Sequence, residues 1–258
     1  MNIAVYPYIS KDGSLPADEY DNGFIFKAID ITHTIHESWK CLFLEGNTTI
    51  NQKLKELYTK AYLNGLTVYP LPQDVLNCFS LPIEKVKVVI MAQDPYPGVD
   101  KNTKKPHACG RCFASESPDD TPGSLNRLRI EIVNRFGDLV IADKSRPNSL
   151  QGWINQGVML MNYTPILYKF YGEEKTAKIN SLLQKPMITW APITRLICEK
   201  IREVNPKCYF LLVGRNAQKA KAYVSNPIET GHPSDLNQNN TFSGDCFEKI
   251  PDIRWNYI

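Results

Sequence analysis

The sequence predicts an α/β fold, a single domain built on a central, mostly parallel four-stranded sheet flanked by helices. Two observations predict it. Short apolar runs at residues 86–92, 158–161, 208–213 and 227–230 carry the aliphatic side chains expected of strands buried on both faces. Helix-period patterns at 124–136, 189–204 and 217–224 alternate with those runs, as in βαβ units rather than hairpins. No repeat, low-complexity tract or linker-like stretch divides the 258 residues.

Taken in order, residues 1–35 are irregular and broken by Pro7, Gly13, Pro16 and Gly23. They read as an amino-terminal extension laid over a body at 36–258. Helical patterns cover 36–44 and 50–61, and Pro70 and Pro72 stiffen a loop before a short helix at 73–78. Strand 86–92 ends on Gln93-Asp94, followed at once by Pro95, Tyr96, Pro97 and Gly98. Each proline keeps its predecessor out of the helical region, so Asp94 and Tyr96 sit on stiff, extended backbone. Helix 124–136 places Leu125, Leu128, Ile132 and Val133 on one face. The 168–187 segment reads as an insertion before the 189–204 helix and has no assigned role. Strand 208–213 then passes through Gly214 into the 217–224 helix.

Composition narrows the class. The chain carries 30 basic and 27 acidic residues, a net charge of +3, so nucleic-acid binding requires a local patch. Seven scattered cysteines, mostly within apolar runs, suit reduced, buried thiols of an intracellular protein, in cytoplasm or nucleus. No apolar run reaches spanning length, and the amino terminus lacks a signal peptide's basic flank and apolar centre. A soluble protein with no membrane partner is expected.

Each strand ends in residues able to do chemistry. The first delivers Gln93, Asp94 and Tyr96, the second Asn162, the third Gly214, Arg215 and Gln218, the fourth His232-Pro233-Ser234. Parallel strands present their carboxyl ends on one edge, so these groups should converge on one crevice. Ser124 follows Pro122-Gly123 at a helix start, where it is equally an N-cap or a phosphate contact. Phe113 brings a ring behind the Asp94 turn, although a lone Phe is more often core. Asp94 itself, seen alone, is as readily a solvated residue of a proline-rich turn.

The motifs together are more specific. Ala-Gln-Asp-Pro-Tyr-Pro-Gly at 92–98, Ala108-x-Gly-x-Cys-Phe113 and Pro122-Gly-Ser-Leu125 come first. Gln156-Gly-Val-x-Leu-x-Asn162, Gly214-x-x-Ala-Gln-Lys219 and His232-Pro-Ser-x-Leu236 follow. In order and spacing this set resembles family-1 uracil-DNA glycosylase, from about Glu37-Ser-Trp39 to Arg254-Trp255.

The resemblance implies excision of uracil from DNA by base flipping, with no metal and no organic cofactor. Bond cleavage builds positive charge on the sugar and negative charge on the leaving base, so a carboxylate and hydrogen-bond donors must face each other. Asp94 would stabilise the cationic sugar and orient water. His232 would donate to the uracil oxygen as a neutral imidazole. Asn162 would read the uracil edge through its amide, Phe113 would stack on the base, and Gln93 would line the pocket. Tyr96 would occupy the space of thymine's methyl group. Leu236 resembles the residue that enters the duplex in place of the extruded base. Ser124, Ser234, Arg215 and Lys219 are the candidates for DNA-backbone contacts. Uracil-containing DNA is the implied partner, a DNA-mimicking inhibitor protein is a second one, and a monomer is expected.

The sequence also departs from the family. Ala92 and Pro97 replace the usual Gly and His, and Pro97 resembles the poxvirus branch. Asp235 stands for a Pro, while Asn237 and Arg215 stand for phosphate-contacting Ser residues. These changes leave room for a weakly active glycosylase fold serving as a DNA-binding subunit of a replication complex. A redox or zinc pair at Cys109 and Cys112 has poor support, because no second ligand pair lies at suitable spacing.

Overall fold

The computed structural model describes residues 34–43, 50, 54, 57–58, 67–169, 176–234 and 241–258. The proposed extension at 1–35 therefore lies almost wholly outside the described residues, as do Asp235, Leu236 and Asn237.

The four apolar runs form a wholly parallel sheet. Strand β1 (Thr67–Tyr69) precedes it, and the sheet strands are β2 (Val88–Ala92), β3 (Val158–Asn162), β5 (Tyr209–Val213) and β6 (Pro227–Thr230). Their spatial order is β3-β2-β5-β6, so the winding reverses beside β2 and opens a crevice at the carboxyl ends of the strands. Registers Ala92↔Asn162 and Val213↔Thr230 bring those ends level. Strand β1 pairs antiparallel with β4 (Leu167–Lys169) in a separate two-stranded ribbon that sequence patterning did not reveal.

The sheet is buried on both faces because both phases of each central strand are apolar. Val88, Ile90 and Ala92 enter one core with Leu160, Leu211 and Trp153. Val89 and Met91 enter the other with Met161, Phe210 and Trp190. Period-two side-chain alternation thus yields two cores from one strand.

Among the helices, α1 (Lys40–Phe43) follows a 3-10 turn at Glu37–Trp39 and buries Leu42 and Phe43. Cys41 on that helix is exposed, contrary to expectation, because Trp39, Leu42 and Phe43 take the core face; the other six cysteines are buried and all seven are free. Residues 50, 54, 57 and 58 are helical and buried, as the 50–61 pattern requires. The short helix expected at 73–78 is two 3-10 turns, Pro72–Asp74 and Asn77–Ser80. Helix α2 (Gly123–Phe136) buries Leu125, Leu128 and Ile132, whereas Val133 is exposed. At about 100° per residue Val133 falls on the margin of that stripe. A short α3 (Gln151–Asn155) leads into β3.

Helix α4 (Thr176–Val204) begins well before the expected start at 189 and contains Pro186 and Pro192. Its last turns bury Ile193, Ile197 and Ile201 in the core, packing that holds a helix despite two missing N–H donors. The 217–224 pattern resolves into α5 (Arg215–Gln218) and a 3-10 turn, Lys219–Tyr223. Helix α6 (Asp245–Glu248) closes the core that holds Val88, Ile90 and Trp153. Among the described residues no helix is long and apolar enough to cross a membrane.

Candidate active site

A cavity of about 460 Å³ opens at the carboxyl ends of β2, β3 and β6. Gln93, Asp94, Pro95, Tyr96 and Pro97 line it from the β2 turn, Asn162 from β3, and His232 and Ser234 from beyond β6. Phe113 and Ser124 complete the sequence-predicted members.

The β2 and β3 ends are stitched together by Tyr163 N–H donating to Ala92 O (2.8 Å) and Thr164 N–H to Gln93 O (3.0 Å). Asn162 is only 7 % exposed, and its Oδ1 has no hydrogen-bond partner among the described residues. An unpaired buried carbonyl is costly, so a ligand N–H in the cavity would find a ready acceptor.

Asp94 accepts from Gln93 Nε2 at 3.2 Å. Burial pushes its carboxyl above the ordinary Asp value, and the Gln93 bond pulls the other way. Burial pushes the His232 imidazole below the ordinary histidine range, which favours the neutral ring. Gly214 fixes the ring's neighbourhood, since a Cβ there would lie 3.3 Å from the Cβ of His232. Gln218 Nε2 donates to Thr230 O at 3.0 Å and anchors the end of β6.

Phe113 has a left-handed backbone, φ 60°, unusual for a bulky residue and costing about 1 kcal/mol. The turn is held in place around it. Gly110, also at positive φ, presses so close to the Asp74 carbonyl that a Cβ would collide at 1.7 Å. Asn77 Nδ2 donates to Cys109 O at 3.0 Å. The result is a Phe113 ring 5.7 Å from the His232 ring, tilted by 37°. Tyr96 donates its hydroxyl to Phe113 O at 3.0 Å, which ties the proposed gate to the proposed stacking residue.

Not every candidate reaches the cavity. Arg215 and Lys219 do not line it: both are exposed on or just after α5, and Lys219 Nζ donates to Asn216 Oδ1 at 2.7 Å. Strand β5 turns directly into α5 at Gly214, so its polar residues support β6 or face solvent instead of entering the crevice. Ser124 does line the cavity, but it is not an N-cap. Pro122 holds that position with extended backbone and makes no side-chain cap, leaving Ser124 inside the first turn. Leu236 lies outside the described residues.

Sequence reasoning missed Arg111 and Cys112 in the wall. Arg111 donates to Ser80 Oγ at 3.2 Å and sits 3.8 Å from Glu116. The signal available was its place between Gly110 and Phe113. The Cys109 thiol is pushed by burial up to about 12, and Cys112 Sγ donates to Ile90 O at 3.2 Å, so neither behaves as a ready thiolate. Among the described residues no cluster of three His, Cys, Asp or Glu is placed to hold a metal ion.

Comparison with known proteins identifies the family. The family described as the uracil DNA glycosylase superfamily matches residues 80–252. A uracil-DNA glycosylase from Bacillus licheniformis is 31 % identical over 211 residues, covering 80 % of this chain and 84 % of that protein. One from Phocaeicola vulgatus is also 31 % identical, covering 81 % and 89 %. Among solved structures, a mimivirus UNG variant in complex with UGI shares the fold at TM-score 0.70 and 22 % identity, covering 90 % of this chain and 93 % of that one. The site-bearing sheet edge and its loops fall inside the matched span, and this chain belongs to the uracil DNA glycosylase superfamily.

Proposed function

We propose how this cavity divides the work of a uracil-DNA glycosylase, the hydrolase of N-glycosyl bonds that the chain and its relatives represent. The observation that carries the assignment is the buried Asn162 Oδ1, without a partner among the described residues, in the wall shared with Asp94 and His232. Uracil offers an N–H between two carbonyls. That N–H pairs with Asn162 Oδ1, while the amide N–H₂ donates to the adjacent oxygen. Cytosine carries an acceptor where uracil carries that N–H, so the same amide repels it.

With uracil seated, Phe113 stacks on its face and Tyr96 closes the space beside carbon 5. The bond between the base nitrogen and the sugar's anomeric carbon breaks, and its electron pair stays with the base. His232, kept neutral by burial, donates an N–H to the oxygen that gathers this charge. The Asp94 carboxylate steadies the cationic sugar and takes a proton from the attacking water, whose oxygen forms the new bond. The raised basicity of a buried carboxylate favours that transfer. Gln93 holds the carboxylate in place.

Ser124 and Ser234, both in the cavity wall, contact flanking phosphates, with Arg215 and Lys219 adding charge outside it. Leu236 fills the gap in the duplex. Within the superfamily the Gln93-Asp94-Pro95-Tyr96 turn supports a family-1 reading, and Pro97 a poxvirus-like variant of it. The body at 36–258 acts as one domain and works as a monomer; the proposed extension at 1–35 lies almost wholly outside the described residues. A DNA-mimicking inhibitor protein occupies the same groove, a reading supported by the mimivirus UNG solved in complex with UGI.

Uracil release from a labelled oligonucleotide tests the assignment. Asp94→Asn should lower kcat by about 10²–10⁴-fold. Undiminished turnover, or activity that requires a divalent ion, would overturn it.

A further inference from the structure

Between Pro97 and Arg111, both in the cavity wall, the chain makes an excursion that the assigned chemistry does not use. Val99 and Pro106 form an antiparallel bridge at its base. Asp100 N–H donates to Lys105 O (2.8 Å), Lys104 N–H to Asp100 O (2.9 Å), and His107 N–H to Gly98 O (3.0 Å). The Asp100 side chain, 1 % exposed, holds the turn from inside by accepting from the N–H groups of Asn102 and Thr103 and from the Ser117 hydroxyl. Ser117 above all, with Thr103 and Asn102, keeps that carboxyl below the usual carboxylate range, so it stays ionised and occupied.

What this scaffold displays is cationic. Lys101, Lys104 and Lys105 are all exposed, Lys101 with 87 % of its side chain in solvent. Lys104 stands at φ 61° on the turn. The carboxylate inside the hairpin is buried, and the acidic neighbour Asp120 lies 3.8 Å from Lys101 while also facing His107 Nε2 at 3.4 Å. Asp120 therefore offsets part of the Lys101 charge and leaves Lys104 and Lys105 to dominate the tip. At the base, the His107 ring meets the Tyr96 ring edge-on at 6.4 Å, which joins the hairpin to the gate.

We infer that residues 99–106 form a preorganised cationic hairpin that grips the phosphate backbone of DNA flanking the excised nucleotide. This rests on the glycosylase reading of the cavity and extends its DNA footprint to a surface outside the wall. Three or so residues of extended chain reach roughly 10 Å from the base. At about 3.4 Å per base along one strand, that distance spans some three nucleotides. Lysines are point charges without a fork, which suits sequence-independent phosphate contact rather than base reading.

The test is the salt dependence of kcat/KM for uracil excision from a long duplex. Replacing Lys101, Lys104 and Lys105 together by Gln should lower the slope of log kcat/KM against log salt by about 1 per lysine. The loss should be uniform across flanking sequences, and the triple Arg variant should keep the parent slope. Lys105→Gln alone, which spares the backbone bonds of the turn, should show about one third of the triple effect. An unchanged slope in the triple Gln variant, or an equal loss in the triple Arg variant, overturns the inference. Excision by the unsubstituted protein from a single-stranded oligonucleotide too short to reach the hairpin separates the two readings. No release there sinks the cavity assignment, whereas release combined with an unchanged slope sinks the hairpin alone.

Discussion

The cavity wall gathers mostly buried or half-buried groups from strand ends and the loops around them, whereas the rim takes its groups from exposed short helices and loops. Asn162 and Phe113 are 7 % and 4 % exposed, and the acid–base behaviour of Asp94 and His232 is set mainly by burial. Arg215, Lys219 and the hairpin lysines stand in solvent. In the proposed mechanism the wall thus works through desolvation and fixed geometry, and the rim through charge that salt can screen. Substitutions, pH and salt should separate the two regions.

The largest effect belongs to the wall. His232→Leu should lower kcat by about 10²–10³-fold with KM little changed, because its proposed donor acts on charge present mainly in the transition state. A raised KM with intact kcat would move His232 from the wall's chemistry to the rim's binding. Next comes base choice. Tyr96→Ala opens the space beside carbon 5, and thymine should become a substrate, since a methyl is worth about 10–200-fold in such pockets. If the variant still ignores thymine while excising uracil normally, Tyr96 is a packing residue tied to Phe113 O and the gate lies elsewhere.

The pH profile sharpens the contrast. The proposed mechanism needs Asp94 ionised and His232 neutral. Burial raises the Asp94 value, so activity should fall on the acid side at a higher pH than an ordinary Asp would give. Burial lowers the His232 value, so its protonation begins only at lower pH than for an ordinary histidine. Gln93 donates to the carboxylate and favours its ionised form; Gln93→Leu should therefore move the acid limb to higher pH. A limb that stays in place would show that Gln93 does not tune Asp94. The smallest effects belong to the rim. Arg215→Gln and Lys219→Gln should each reduce the salt slope of DNA affinity by about 1 and leave the pH profile alone. An unaltered slope would remove α5 from the DNA footprint.

Much of this was legible because burial on both faces writes itself into a strand as an unbroken apolar run. The β2, β3, β5 and β6 ranges follow those runs to within a residue or two. The β1–β4 ribbon was not legible, since each strand has three residues and Thr67 pairs with Lys169, far away in the chain. Helix α4 was legible only in part, because Pro186 and Pro192 read as breaks while the burial of Ile193, Ile197 and Ile201 sustains the helix.

The sequence by itself determined which chemical groups stand at the strand ends and in what order, since stiff prolines and strand termini act locally. Tertiary structure decided which of them share a cavity. It admitted Arg111 and Cys112, left Arg215 and Lys219 outside, and made Ser124 part of a wall rather than a cap. It also left Asn162 Oδ1 without a partner among the described residues and shifted Asp94 and His232 in opposite directions. Those properties depend on which groups surround an atom, and the surroundings come from distant segments, as when the Asp74 carbonyl leaves room only for a glycine at 110. Desolvation and pairing are collective, and no local pattern can carry them.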